Sequence, residues 1–330
     1  MIHPMIHPTS RPMKRLPAIV ACRGERLVGT VHEPARDAAR TAVLLLNPGP
    51  APRAGNSDLS ARLGDAFARA GVRTFRFDQS GAGDATGESW RTLDDCRAES
   101  QRGERPVAEV GAIVDAILAR DDTDGVIVGG LCAGATIAMR VADARGRAGA
   151  DLAGVVILEP DLRRAAPDGS MAARRRRFVR TTRAALMRIP VLGRVLGTIL
   201  ARVRRSTGTA LAHAGPMRDP IDPNLLGAWR RTLARGTPVL AVTALGLDGD
   251  RDLDELLGAL GDPRLGDPRS RDSRPRDSRL SDSRRSDSRL SHSRLSDTRI
   301  GTRDTHHPTR LRISDANHLF TLAGCVDRVA

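Results

Sequence analysis

Cys132 stands at the centre of Gly130-Leu131-Cys132-Ala133-Gly134, a setting that turns a thiol into a nucleophile. The run before it, Gly125 to Gly129, is short, apolar and β-branched and predicts a buried strand. The run after it, Ala133 to Ala144, has few helix breakers and predicts a helix. A strand, Gly-x-nucleophile-x-Gly and a helix make a very sharp turn. The residues two before and two after the nucleophile must then be nearly without side chains, which Gly130 and Gly134 satisfy. An internal cysteine ordinarily packs as a small hydrophobe. One centred between such glycines points instead to attack on an acyl carbon, activated by the following helix N-terminus and by a nearby histidine.

That chemistry needs a base. His318 is the only histidine directly after the last predicted strand, whereas His3, His7, His32, His213, His292, His306 and His307 fall in tails, a hairpin or interrupting segments. A third group should orient the imidazole and stabilise its charged form. Asp248 and Asp250, with Asp252 close behind, follow one predicted strand, and Glu159 and Asp161 follow an earlier one. The oxyanion needs two N–H donors, each typically worth about 2.7–4 kcal/mol. One is the backbone N–H of Ala133, the residue after the nucleophile. The other should come from Asn47-Pro48-Gly49-Pro50, where proline has no N–H and only Asn47 and Gly49 can donate.

These residues need a scaffold. Ala18–Val20 and Leu27–His32 flank Arg23-Gly24-Glu25 as a hairpin. Strands are expected at Thr41–Asn47, Val72–Asp78, Gly125–Gly129, Gly154–Glu159, Pro238–Thr243 and Arg310–Ser314. Helices are expected at Asp58–Ala70, Glu104–Arg120, from Ala133 to Ala144, and at Leu253–Leu260. Strands alternating with helices imply βαβ units and a mostly parallel, doubly wound sheet. Residues 1–15, with the repeated MIHP, are expected to be a disordered tail outside the fold.

Two stretches interrupt the alternation. Residues from about 162 to 235 are arginine-rich and carry Ile189, Val191, Leu192, Val195, Leu196, Ile199 and Leu200 at amphipathic spacing, which suits a helical cap with solvated arginines. Residues 263–304 repeat units such as DSRLS, with Asp272, Asp277, Asp282, Asp287, His292 and Asp297 five apart. A five-residue period fits neither helix nor strand. So polar a segment cannot offset its ordering entropy and is expected to be a disordered insertion.

Composition narrows the class. At 330 residues the chain can bury a large core. Its net charge of +14 would suit nucleic acid, yet Lys14 is the only lysine, tyrosine is absent and aromatics make up 2%. Stacking platforms for single strands are therefore missing, and nucleic acid is not expected as a partner. Cys22, Cys96, Cys132 and Cys325 show neither CxxC spacing nor a disulfide framework, which argues against a metal site and for a cytoplasmic location. No apolar run reaches the roughly 18 residues of a membrane span, and the first residues lack the apolar core of a secretory signal.

Four motifs, in order, resemble the α/β-hydrolase superfamily, and more narrowly its bacterial serine-aminopeptidase-like and exosortase-associated hydrolase branches. They are Asn47-Pro48-Gly49-Pro50 with Arg53 and Gly55, Phe77-Asp78-Gln79-Ser80-Gly81-Ala82-Gly83-Asp84, Gly130-Leu131-Cys132-Ala133-Gly134-Ala135, and Asp315-Ala316-Asn317-His318-Leu319-Phe320. The likeness runs over about residues 16–262 and 309–330, and the Ser/Arg/Asp insertion is foreign to it. It implies an α/β-hydrolase fold with a cap after the sixth strand, Cys132 as nucleophile, His318 as base and Asp248 as orienter, with Asp250 the alternative. It also implies Gly49 as the second oxyanion donor. The glycine-rich turn after Phe77 fits no phosphate loop, since no Lys-Ser/Thr follows. Arg53 could hold a substrate carboxylate or phosphate, or pair with that turn. The expected activity is ester or thioester cleavage of a small acyl substrate without cofactor or metal. Acyl transfer through the same acyl-enzyme and a catalytically inert binding protein of the same fold are the alternatives.

Overall fold

The computed structural model describes residues 13–35, 38–164, 219–261 and 308–313. The chain begins with a hairpin, β1 (Lys14–Cys22) and β2 (Glu25–Glu33), paired antiparallel across their full length. Arg23 and Gly24 both have positive φ, which matches the right-handed twist of a tight hairpin. Next come β3 (Thr41–Leu46), a single 3-10 turn at Asn56–Asp58, α1 (Leu59–Arg69), β4 (Thr74–Phe77), α2 (Leu93–Arg102), α3 (Arg105–Leu118), β5 (Gly125–Leu131) and α4 (Ala133–Arg147). After β6 (Gly154–Leu158) the described chain resumes with α5 (Pro223–Ala234), β7 (Val239–Ala244), α6 (Asp248–Gly261) and β8 (Thr309–Ile313).

The eight strands form one sheet in the order β1-β2-β4-β3-β5-β6-β7-β8. β3 through β8 run parallel, and β2 joins β4 antiparallel. This is the mostly parallel architecture the alternation predicts. Helices cover both faces. On one, α1 lays Leu59 and Leu63 against Val43, Leu45, Leu131, Leu158, Val242 and Ile313. On the other, α4 is buried along most of its length between the strands and its neighbouring helices. Each fully buried Leu or Ile contributes about 1.5–3 kcal/mol, which is why the inner strands read as continuous apolar runs.

Register sets up the site. Leu46 pairs with Gly130, Leu131 with Leu158, Leu158 with Val242, and Ala244 with Ile313. The carboxyl ends of β3, β5, β6, β7 and β8 therefore reach one edge together, and the residues following each strand leave from that edge.

Three differences from the sequence reading have physical causes. α2 was not expected: apart from Leu93 and Cys96 it is nearly all polar, and its start is set by Thr92, whose hydroxyl accepts the Asp95 N–H at 3.0 Å. α6 begins at Asp248 rather than Leu253, its first turn carrying Asp248 and Asp250 where a helix N-terminus favours acids. Residues 223–234, inside the expected cap range, form α5, which packs on α4 as part of the sheet unit. Arg163–Asp222 is a separate compact unit, in whose described part Arg163 bridges to Ile221 and the Arg164 N–H donates to Pro220 O. The apolar cluster at 189–200, the tail at 1–12 and the repeat insertion lie outside the described residues. Among the described residues no helix is long and apolar enough to cross a membrane.

Candidate active site

Cys132 occupies the single residue between β5 and α4, with φ 56° and ψ −113°. A non-glycine residue is held there only by an over-determined surrounding, at a cost of about 1–3 kcal/mol. The surroundings are visible. A Cβ on Gly130 would come within 2.8 Å of the Gly134 carbonyl carbon. A Cβ on Gly134 would lie 2.7 Å from Asn47 O and 2.9 Å from Leu46 O. Any side chain at either position would push α4 away from the strand or from the β3 loop. The Cys132 N–H donates to Leu158 O at 2.9 Å, tying the bend to β6. The side chain is half-buried against the apolar cluster under α1.

The β3 loop faces the start of α4. A Cβ on Gly49, whose φ is 71°, would sit 4.0 Å from Ala133 Cβ and 3.5 Å from Cys96 Sγ. The two residues expected to donate to an oxyanion are thus neighbours. The Gly49 N–H is engaged, donating to Asn47 O at 3.0 Å. Asn47 Nδ2 donates to Ala51 O at 2.7 Å, and Asn47 Oδ1 is buried without a partner. Cys96, on α2, backs this loop. Burial pushes its thiol up to about 11, against a hydrogen bond with Ser100, so it stays protonated.

The acidic residues separate by environment. Asp250 accepts from Thr243 Oγ1 at 2.7 Å, Gly246 N at 3.1 Å, Arg310 Nη2 at 2.6 Å and Arg312 Nε at 3.0 Å. Burial works to raise its pKa, but these hydrogen bonds and the Arg310 charge outweigh it and hold the carboxyl below its ordinary range. Asp250 clamps β7, β8 and α6 together. Asp248 is exposed at the first residue of α6. Glu159, directly after β6, is fully buried with φ 42°; its N–H donates to Val242 O and its carboxylate accepts the Ala244 N–H. That carboxylate lies so close to Gly249 that a Cβ there would overlap it. Asp161 accepts from Arg97 at 2.6 Å. His318 lies outside the described residues; β8 ends at Ile313, in register with Ala244.

The glycine-rich turn after β4 is folded around Asp78. This buried carboxylate accepts the Arg53 N–H, the Arg53 guanidinium and the Asp84 N–H. Gly83 is pressed against it so closely that no side chain would fit. Arg53 also reaches Asp84 at 2.7 Å. The structure thus places Arg53 in an ion pair with the turn. Among the described residues no group of three or more His, Cys, Asp or Glu side chains could hold a metal ion.

A sharp strand–helix bend at the carboxyl edge of a mostly parallel eight-stranded sheet is the architecture of an α/β-hydrolase. Comparison with known proteins agrees: the alpha/beta hydrolase family profile matches residues 43–279, and the chain belongs to that family. The matched span includes Gly49, Cys132, Asp248 and Asp250 but not His318. Among solved structures, the thioesterase domain from the curacin biosynthetic pathway is similar at 12% identity and TM-score 0.52, with 96% of this chain and 97% of that one covered. The DcsB complex with its substrate analogue is similar at 13% identity and TM-score 0.52, with 96% of each chain covered. These likenesses concern the fold. No curated protein matches in sequence.

Proposed function

We propose that the protein is a cytoplasmic hydrolase of the serine-aminopeptidase-like or exosortase-associated branch that cleaves esters or thioesters through an acyl-enzyme on Cys132. The observation that carries this reading is the backbone of Cys132, strained at the β5–α4 bend between two glycines at which any side chain would force the surrounding backbone to shift. His318 takes the thiol proton as the sulfur attacks the acyl carbon, and returns it to the leaving group. Asp248 orients the imidazole. The oxyanion is held by the N–H groups of Ala133 and Gly49, the latter turning away from Asn47 O when substrate enters. Hydrogen bonds of this kind are often loose before substrate binds. A thiolate suits activated esters and thioesters better than amides, so a small acyl substrate is proposed rather than a peptide. Acyl transfer would use the same intermediate with a different acceptor.

One observation favours a second orienter. Glu159 is buried at the same sheet edge, beside Gly249, with its φ in the left-handed region. The pair of variants Asp248→Asn and Glu159→Gln separates the two. Losing the orienting carboxylate lowers kcat by about 10⁴-fold, so the variant showing that loss identifies it.

The reading itself is tested with an aryl ester. The wild-type chain should release a stoichiometric burst of phenol, Cys132→Ala should release none, and iodoacetamide should alkylate Cys132 and suppress the burst. Undiminished turnover by Cys132→Ala would leave a nucleophile elsewhere as the remaining reading, and no turnover by the wild-type chain would leave the inert binding protein.

A further inference from the structure

A cavity of about 540 Å³ is bordered by the β3–α1 loop, and its lining includes Arg15, Arg53, Arg62 and Arg76 together with Thr30. Arg76 is the unusual member. It is 4% exposed, and a guanidinium stays charged in proteins. Its partners are neutral: Nε donates to His32 Nε2 at 2.8 Å and Nη1 to Arg53 O at 2.6 Å. Among the described residues no carboxylate forms an ion pair with it; the charges of Asp65 and Asp78 act on it through space, and a buried charge without a direct partner is costly. Burial and the neighbouring charges of Arg15 and Arg53 pull its pKa down to about 10, so it remains a cation at neutral pH.

The acids nearby are already committed. Asp65 accepts from Arg15 Nε at 3.0 Å and from His32 Nδ1 at 2.9 Å. Because His32 Nε2 accepts from Arg76, the proton sits on Nδ1 and the ring is neutral. Asp78 is divided between the Arg53 backbone, the Arg53 side chain and Asp84 N. Two further carboxylates, Asp58 and Asp84, line the rim. Asp84 is 68% exposed and can release Arg53 Nη1 to a ligand. Arg62 is exposed on α1 and has no ion pair among the described residues. Ser57 and Asp58, consecutive non-glycine residues at φ 49° and 58°, shape the opening.

We propose that this cavity binds a phosphate group, taken between Arg76 at its floor and Arg53 and Arg62 at its walls, with the Thr30 hydroxyl as a further donor. Phosphate fits better than carboxylate because its three oxygens and near double charge can engage several guanidinium forks at once. The site does not depend on Cys132, and its failure would leave the hydrolase reading untouched.

Inorganic phosphate, titrated at constant ionic strength and followed by thermal denaturation and by ³¹P NMR linewidth, should give a saturable response that chloride does not. Arg62→Glu, on an exposed helix face, should weaken phosphate about tenfold or more, or about 1.4 kcal/mol. Arg76→Gln should abolish the response; should it fail to fold, Arg62→Glu carries the test. Phenyl phosphate binding more tightly than inorganic phosphate identifies an organic phosphoester as the ligand, and equal binding identifies the free anion. No saturable response, an Arg62→Glu chain that binds as tightly as wild type, or benzoate binding as tightly as phenyl phosphate would overturn the proposal.

Discussion

Replacing Cys132 with glycine is expected to make the folded chain more stable than replacing it with alanine, although glycine is ordinarily the destabilising choice. At φ 56° and ψ −113° any residue with a Cβ is strained by about 1–3 kcal/mol, and glycine is not. Glycine's extra freedom in the unfolded chain takes back about 0.5–1 kcal/mol. Both variants lose the sulfur and its apolar contacts, so that loss cancels in the comparison. The net expectation is that Cys132→Gly exceeds Cys132→Ala by roughly 0–2.5 kcal/mol, a Tm difference of about 2–4 °C per kcal/mol. Urea denaturation followed by tryptophan fluorescence reads it directly, because Trp229 is 1% exposed and changes environment on unfolding. A glycine variant less stable than the alanine variant by the full entropic cost of about 0.5–1 kcal/mol would show that the bend stores no strain and would remove the main support for the nucleophile.

Other outcomes follow from the same geometry. Gly134→Ala places a methyl 2.7 Å from Asn47 O and 2.9 Å from Leu46 O. It should cost about 1–3 kcal/mol and depress esterase activity more than stability, because the displaced loop carries Gly49. His32 is fully buried, and burial, followed by the Arg76 charge, lowers its pKa to about 4 from 6.5. The unfolded chain therefore binds this proton first, and stability is lost as pH falls from 6.5 towards 4. By pH 5 the loss should be about 2 kcal/mol, and His32→Gln should flatten that slope in urea midpoints measured between pH 7 and 5.

The fold was legible because its signals are local. The apolar runs at Thr41–Leu46 and Gly154–Leu158 and the glycines around Cys132 report strands and a bend within a few residues. The mostly parallel pairing follows from those signals plus the rules of crossover connection, whereas the order of the strands comes from the structure. What the sequence did not show depends on partners far along the chain. α2 has little apolar periodicity, and only the Thr92 cap marks it. Asp250 stands in the sequence as the alternative orienter to Asp248, and only β8, some 60 residues later, brings Arg310 and Arg312 onto it. The left-handed backbone of Glu159 has no residue-type signature, since glycine is the only residue that advertises that conformation. The chain Asp65–His32–Arg76 spans separations of 33 and 44 residues, and nothing in the immediate neighbourhood of any of the three announces it.

Lys14 opens β1, the outermost strand at the opposite margin of the sheet from β8, and its side chain is exposed. Since every other basic residue besides histidine is arginine, amine-directed reagents find a single ε-amine. A fluorophore or resin coupled to that ε-amine would sit four strands away from Cys132, marking one margin of the sheet while leaving the β5–α4 bend uncovered.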